Sequence, residues 1–104
     1  MTRGAIFRVK DEPVAEKADA LAASLSKKIA ASVGTGYEGY TRLVCKGAFD
    51  YKVYYEFSPD AFGRFKAGPG LATFEETVKE FSKLSVDGKV HTQNFVIEGF
   101  GKKK

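Results

Sequence analysis

The apolar residues of this chain repeat with two different periods, and the order of those periods restricts the fold more than any other feature. Residues 5–10 alternate between apolar and other side chains, which is typical of a strand. Residues 13–33 place apolar side chains three and four positions apart, which predicts a long helix with one buried stripe. Asp11 and Pro13 suit the start of that helix, and Gly34 suits its end.

The middle of the chain returns to the shorter period. Residues 34–39 contain three glycines and are expected to form a loop. Strands are predicted at 40–46 and 51–57, joined by a turn at 47–50. No Gly-Lys-Ser/Thr sequence follows the glycines, so they do not indicate a phosphate-binding loop.

The last third of the chain contains two helix starts. Residues 58–60 (Ser-Pro-Asp) combine an N-cap serine, a proline at the first helical position and an acid facing the helix dipole. Residues 68–70 (Gly-Pro-Gly) are expected to interrupt this helix. Thr73 and Glu76 have the spacing of a capping box, which predicts a second start there. A final strand is expected over 90–100.

The predicted order is therefore β-α-β-β-α-β, an α+β arrangement known as ferredoxin-like. It gives a four-stranded antiparallel sheet with both helices on one face. The 104 residues are interpreted as a single domain, 1–104, with a basic tail at 102–104.

Composition removes several functional classes. The single cysteine, Cys45, and the single histidine, His91, exclude an internal disulfide framework, a cysteine-rich zinc site and a pair of histidine ligands, so no metal site is predicted. The net charge is +4, but three of the 17 basic residues lie in the tail, which leaves 14 against 13 acidic residues. Nucleic acid is therefore not expected as a partner.

No apolar run reaches the length of a membrane span, and no secretion signal is expected before the first strand. The chain is accordingly expected to be cytoplasmic, with no membrane partner.

The third strand carries aromatic residues on both of its faces. Tyr51, Tyr55 and Phe57 share one face, and Tyr54 lies on the other. Helices cover only one face of such a sheet, and exposed apolar area costs about 25 cal/mol per Å². A second copy of the chain would cover the remaining face, so the sequence predicts a homodimer.

These features resemble a known family. The order of elements, the Tyr-Glu-Gly-Tyr segment at 37–40 and the aromatic third strand leading from Tyr54 into residues 58–62 are similar to the dimeric α/β-barrel superfamily. Within it, the chain most resembles the antibiotic biosynthesis monooxygenase-like domains, from Gly4 to Phe100.

The resemblance implies a barrel of two sheets meeting across a dimer axis, with a pocket between the sheet and helices of each subunit. In active members that pocket holds a polycyclic phenol or quinol, which O₂ oxidises without metal or flavin, or a haem that is degraded. This chain has no tryptophan and no histidine on its second helix. The absence of these two residue types argues against haem binding, and no cofactor is expected.

His91 is the first candidate catalytic residue, because histidine exchanges protons most readily near neutral pH and could deprotonate a phenol. Strand alternation places it with Gln93 and opposite Asn94. A position in solvent just after the turn is the alternative.

Arg42 and Tyr54 are the other candidate catalytic residues. Arg42 could form a cross-strand ion pair with Glu56 or stabilise a phenolate, and Tyr54 could position an aromatic ligand. Cys45 is interpreted as a small buried group. The predicted substrate-binding residues are Tyr40, Phe62, Phe65, Phe74 and Asn94.

The phenylalanines around residues 68–70 have two interpretations. They could form a lid over a hydrophobic pocket, or they could pack the core. A pocket of a few hundred Å³ beside His91 or Tyr54 would favour a cofactor-free oxygenase acting on an aromatic or polyketide-like substrate. Interior space filled by Phe62 and Phe65 would favour a structural module. A non-catalytic dimer that binds a hydrophobic small molecule or a protein is the third alternative.

Overall fold

A computed structural model describes residues 1–45 and 49–95 of the protein. The elements are β1 (Thr2–Arg8), α1 (Glu12–Val33), β2 (Tyr37–Cys45), β3 (Asp50–Phe57), α2 (Pro59–Ala67), α3 (Pro69–Leu84) and β4 (His91–Phe95). The predicted α+β class is confirmed, with two consecutive helices where the sequence predicted one interrupted helix. The last five residues of the predicted final strand, the 102–104 tail and part of the predicted 47–50 turn lie outside the described residues.

The four strands form one antiparallel sheet in the order β2-β3-β1-β4, which is the ferredoxin-like order. The helices lie on one face of it. Tyr51, Val53, Tyr55 and Phe57 of β3 are buried beneath them, and the Tyr55 hydroxyl donates to the Ala22 carbonyl oxygen of α1 at 3.0 Å.

Helix α1 begins one residue before the predicted start. Asp11 is its N-cap, and its carboxylate accepts a hydrogen bond from the Val14 amide at 3.1 Å. The buried stripe is rich in alanine, and these small side chains let the helix lie close to the aromatic sheet face. Its members are Ala15, Ala18, Ala22, Leu25, Ile29 and Val33.

The start of α3 differs from the prediction. Helix α2 has the predicted Ser58 N-cap, which accepts from the Ala61 amide at 3.2 Å, and it ends at Ala67 with Gly68 as its C-cap. Helix α3 then begins at Pro69, so the capping-box start at Thr73 is wrong. The Thr73 hydroxyl instead donates to the Pro69 carbonyl oxygen at 3.0 Å, a bond made inside an established helix. Proline at the first helical position decided the boundary.

We call the sheet face opposite the helices the open face. Strand pairing aligns Leu43, Lys52, Ile6 and His91 in one row across it, and Thr41, Tyr54, Gly4 and Gln93 in the next. Leu43 is 53% exposed, whereas Tyr54 is half-buried. The face thus mixes apolar and charged groups rather than being wholly apolar.

Among the described residues, none of the helices combines the length and the apolar character needed to cross a membrane. The cytoplasmic location stays a prediction.

Gly36 connects α1 to β2 through a close contact with the start of α2. Its φ is +98°, and an added Cβ would lie 2.5 Å from the Ser58 hydroxyl oxygen and 2.8 Å from the Ala61 Cβ. Its carbonyl oxygen also accepts from the Ser58 amide at 2.8 Å. Only glycine suits both the backbone angle and this contact.

We therefore expect Gly36→Ala to destabilise the fold by more than about 1 kcal/mol, measured by urea unfolding. Gly63→Ala is the matched control, because Gly63 lies in α2 with open space around its Cβ position. It should stabilise the protein by roughly 0.5–1 kcal/mol. Equal effects from the two variants would contradict the assigned role of Gly36.

Candidate functional site

The sheet separates the residues that the sequence predicted to be catalytic. His91 and Tyr54 lie on the open face, whereas Arg42 lies on the face that the helices cover. The three therefore do not line one pocket within this chain. Asn94 lies on the helix-covered face of the sheet, opposite to the face that carries His91, as strand alternation predicted.

Arg42 forms an ion pair with α1 rather than with Glu56. Its Nε lies 2.6 Å from the Asp19 carboxylate, which also accepts a hydrogen bond from the Tyr51 hydroxyl at 2.6 Å. The predicted pair with Glu56 is wrong, because Arg42 is in register with Val53 and Glu56 points to the open face. The ion-pair partner of Arg42 depends on where α1 packs on the sheet. Strand spacing alone does not give the position of the helix.

Tyr40 lies on the same face as Arg42, at the outer edge of the sheet. Its ring stacks on Tyr55, with 5.5 Å between centroids, and 39% of the residue is exposed. Tyr40 therefore packs against the core and borders no interior pocket with His91 or Tyr54.

The predicted substrate-binding phenylalanines fill the interior between sheet and helices. Phe65 and Phe74 are fully buried, and Phe62 is 3% exposed. The centroids of Phe65 and Phe57 are 4.7 Å apart, and those of Phe65 and Phe74 are 6.2 Å apart. Rings at such distances touch directly, so these residues pack the core and do not form an open lid.

A surface groove of about 310 Å³ borders His91. Its walls are Ile6, Phe7, Arg8, Asp50, Val86, Asp87, Lys89 and His91. Arg8 pairs with Asp50 at 3.2 Å, and the pKa of Asp87 is lowered by the Lys89 amide and then by the Ser85 hydroxyl. The groove meets the size expected for a ligand site near His91, but it is charged and opens beside the open face instead of the interior.

Arg3 forms a polar cluster on the helix-covered side. Its Nη1 donates to the Asn94 side-chain oxygen at 2.8 Å, and its Cζ lies 4.9 Å from the centre of the Phe74 ring. Its Nε is buried and has no hydrogen-bond partner among the described residues. Burial lowers the pKa of Arg3, and the charge of Glu75 opposes that shift. We call Arg3, Phe74, Glu75 and Asn94 the arginine cluster.

The arginine cluster has the chemistry of an anion site. A buried N–H without a partner costs about 1–3 kcal/mol, and more for a charged group. An oxyanion would reach the half-buried guanidinium from its exposed Nη side, where Arg3 bonds Asn94. Guanidinium N–H groups bind phenolate, enolate and carboxylate oxygens strongly. The cluster unites Asn94 and Phe74, two of the predicted substrate-binding residues, around Arg3, which sequence reasoning missed.

The missed signal was present in the strand pattern. Arg3 is in phase with Ala5, Phe7 and Val9, the apolar side of β1. A charged residue at such a position must find a partner or lie at the rim of the core. No group of three or more His, Cys, Asp or Glu side chains is arranged for a metal ion in the part of the chain that the structure describes.

Comparisons with known proteins show the fold. No protein-family model matches the chain, and no curated protein matches it. Among solved structures, a mutant form of SnoaB, a cofactor-independent oxygenase from Streptomyces nogalater, matches with a TM-score of 0.64 and 19% identity. The match covers 97% of this chain and 96% of that one. Rv0793 from Mycobacterium tuberculosis matches at 15% identity and a TM-score of 0.50, over 94% of this chain and 98% of that one.

This chain has the ferredoxin-like fold of that oxygenase over nearly its whole length, as the resemblance predicted. At 19% identity the match shows the fold and leaves the activity to the residues of the site.

The buried tyrosines give a pH-dependent stability. Burial raises the pKa of Tyr55, and burial followed by the hydrogen bond to Asp19 raises the pKa of Tyr51. The unfolded chain ionises these hydroxyls first, near their ordinary value of about 10. Their stabilising contribution is therefore complete below about pH 10 and is lost as the pH rises above it.

We expect tyrosinate absorbance from Tyr51 and Tyr55 to appear only together with loss of the circular-dichroism signal of the fold. In Tyr55→Phe, less stability should be lost between about pH 9 and 11 than in the wild type. Ionisation of all five tyrosines in a fully folded protein would contradict this account.

Proposed function

We propose that the protein is a homodimeric, cofactor-independent oxygenase that binds the ionised oxygen of a phenol or enol at the arginine cluster. One observation supports the site above others: the half-buried Arg3 guanidinium bonds Asn94 through its exposed Nη1, while its Nε is buried without a described partner. The second support is the fold shared with a cofactor-independent oxygenase over 97% of this chain.

The arginine charge would favour the reactive form of such a substrate. A cation within about 4–6 Å lowers the pKa of an acidic group by roughly 1–3 units. The resulting anion is electron-rich and can pass electrons to O₂. For a substrate with a CH₂ tautomer, the overall reaction R₂CH₂ + O₂ → R₂C=O + H₂O balances with no external reductant.

His91 and Tyr54 face the opposite side of the sheet. If His91 acts as a base, it does so for a ligand in the groove that it borders, and the two sites can be separated by mutation.

The activity test is O₂ uptake with CH₂-type enols and phenols of one to three rings, from 1,3-cyclohexanedione to anthrone. Arg3→Gln should lower the rate by about 10²–10³-fold, because it removes the charged oxyanion donor. Lys79→Gln is the matched control, since it removes one positive charge at an exposed position of α3 and Lys79 belongs neither to the arginine cluster nor to the His91 groove.

His91→Ala separates the two sites in the same assay. Loss of a general base costs about 10²–10⁴-fold, so a large loss here with an unchanged Arg3→Gln rate would move the reaction to the His91 groove. An unchanged rate in Arg3→Gln contradicts the proposed site in every case.

The homodimer proposal rests on the open face. Leu43 is 53% exposed there, and the half-buried Ile6 and Tyr54 lie on the same face. Packing two such faces together would remove this apolar area from water while leaving Lys52 and Glu56 available for ion pairs between subunits.

Sedimentation equilibrium at micromolar concentration should therefore give about twice the chain mass of 11.4 kDa. Leu43→Asp should give a folded monomer, because a carboxylate would enter the interface unpaired. Ala20→Asp adds the same charge at an exposed position of α1 and should stay dimeric. A monomeric wild type would contradict the proposal.

The filled interior favours a second candidate, a structural module whose interior holds no ligand. Phe62, Phe65 and Phe74 occupy the space in which a pocket was predicted. Absence of phenol binding and of O₂ uptake, in an intact dimer, would favour this function over the oxygenase, whereas phenol binding without O₂ uptake above background would favour the non-catalytic binding dimer.

A further inference from the structure

The ring of Phe74 separates the arginine cluster from the aromatic interior. Arg3 lies over one side of this ring, 4.9 Å from its centre. Tyr55 and Phe65 contact it edge-on, each at 6.2 Å and near perpendicular. Phe74 is fully buried by these neighbours. A ligand bound to the Arg3 guanidinium therefore meets a closed wall of rings on its inner side.

Phe65 is the member of that wall that fills the most central space. Its ring centre is 4.7 Å from that of Phe57 and 6.1 Å from that of Phe62. Gly70 in α3 lies against it so closely that an added Cβ would be 2.9 Å from the Phe65 ring. The glycine makes room for the ring, and packing of this density leaves the ring no alternative position.

We propose that Phe65 is a specificity-determining residue that restricts the arginine cluster to single-ring phenols and enols. The inference rests on the proposed function and names its substrate class. A one-ring ligand can place its oxygen on Arg3 and remain at the rim, outside Phe74. A ligand with two or three fused rings has to displace the Phe74 ring inwards, and Phe65 occupies the space into which that ring would move. The resemblance implied a polycyclic substrate, so this chain departs from its family at this point.

The test uses two phenols, phenol and 1-naphthol, and measures their affinities by NMR titration of the intact protein. Wild type should bind phenol and bind 1-naphthol at least about tenfold more weakly, since a misfit of this size in an apolar site is worth roughly 10–200-fold. Phe65→Leu keeps an apolar side chain in the core and removes the ring, so it should bind both phenols with similar affinity. Arg3→Gln added to Phe65→Leu should abolish both.

Phe81→Leu is the matched control. Phe81 is an equally buried ring of α3 that packs on Phe7 at 5.0 Å, away from the arginine cluster. It should keep the wild-type preference for phenol. The larger truncation Phe65→Ala is not needed. Far-ultraviolet circular dichroism should show that each leucine variant is folded before it is titrated.

Three outcomes would overturn the inference. Equal binding of phenol and 1-naphthol by wild type shows that Phe65 does not restrict ring number. If Phe65→Leu and Phe81→Leu bind 1-naphthol with equal affinity, the effect comes from weaker packing of the whole core and not from Phe65. In both cases the proposed anion site survives if Arg3→Gln still abolishes binding. Failure of wild type and Phe65→Leu to bind either phenol overturns the anion site and the inference together.

Discussion

Close packing of the alanine stripe of α1 on the aromatic face of β3 is the interaction on which the rest of the structure depends. Ala18 and Ala22 are fully buried, and they bring the helix near enough for the Tyr55 hydroxyl to reach the Ala22 carbonyl oxygen. A larger side chain at either position would push the helix from the sheet and leave that hydroxyl unsatisfied. The aromatic interior beneath α2 and α3 is closed because this contact sets the distance between helices and sheet.

The same packing decides where chemistry can occur. Because Phe57, Phe62, Phe65 and Phe74 fill the interior with rings in direct contact, a polar site within this chain can form only at its borders. Arg3 occupies such a border, where its stem is buried and its guanidinium bonds Asn94. An arginine further inside would lack partners for its charge. One further outside would be hydrated, and water would weaken its interaction with a bound anion.

Local patterns predicted those elements whose signals agree with one another. The alternation in β3 and the capped, periodic α1 are confirmed to within a residue or two, since side-chain period, caps and breakers all point the same way there. The start of α3 was mispredicted because two helix-start signals compete within five residues, and Pro69 precedes Thr73. The resemblance predicted the fold correctly, and the solved structures bear it out.

The sequence by itself determined the strand and helix order, the two-sided character of β3 and the separation of His91 from Asn94, because side-chain periods of 2 and 3.6 are properties of the local backbone. Only the tertiary structure decided which partner each polar residue meets. Arg42 bonds Asp19 across a helix–sheet contact, and Arg3 bonds Asn94 across 91 positions of sequence. Such contacts depend on the register between strands and on the height of a helix above its sheet, and no spacing along the chain encodes either of them.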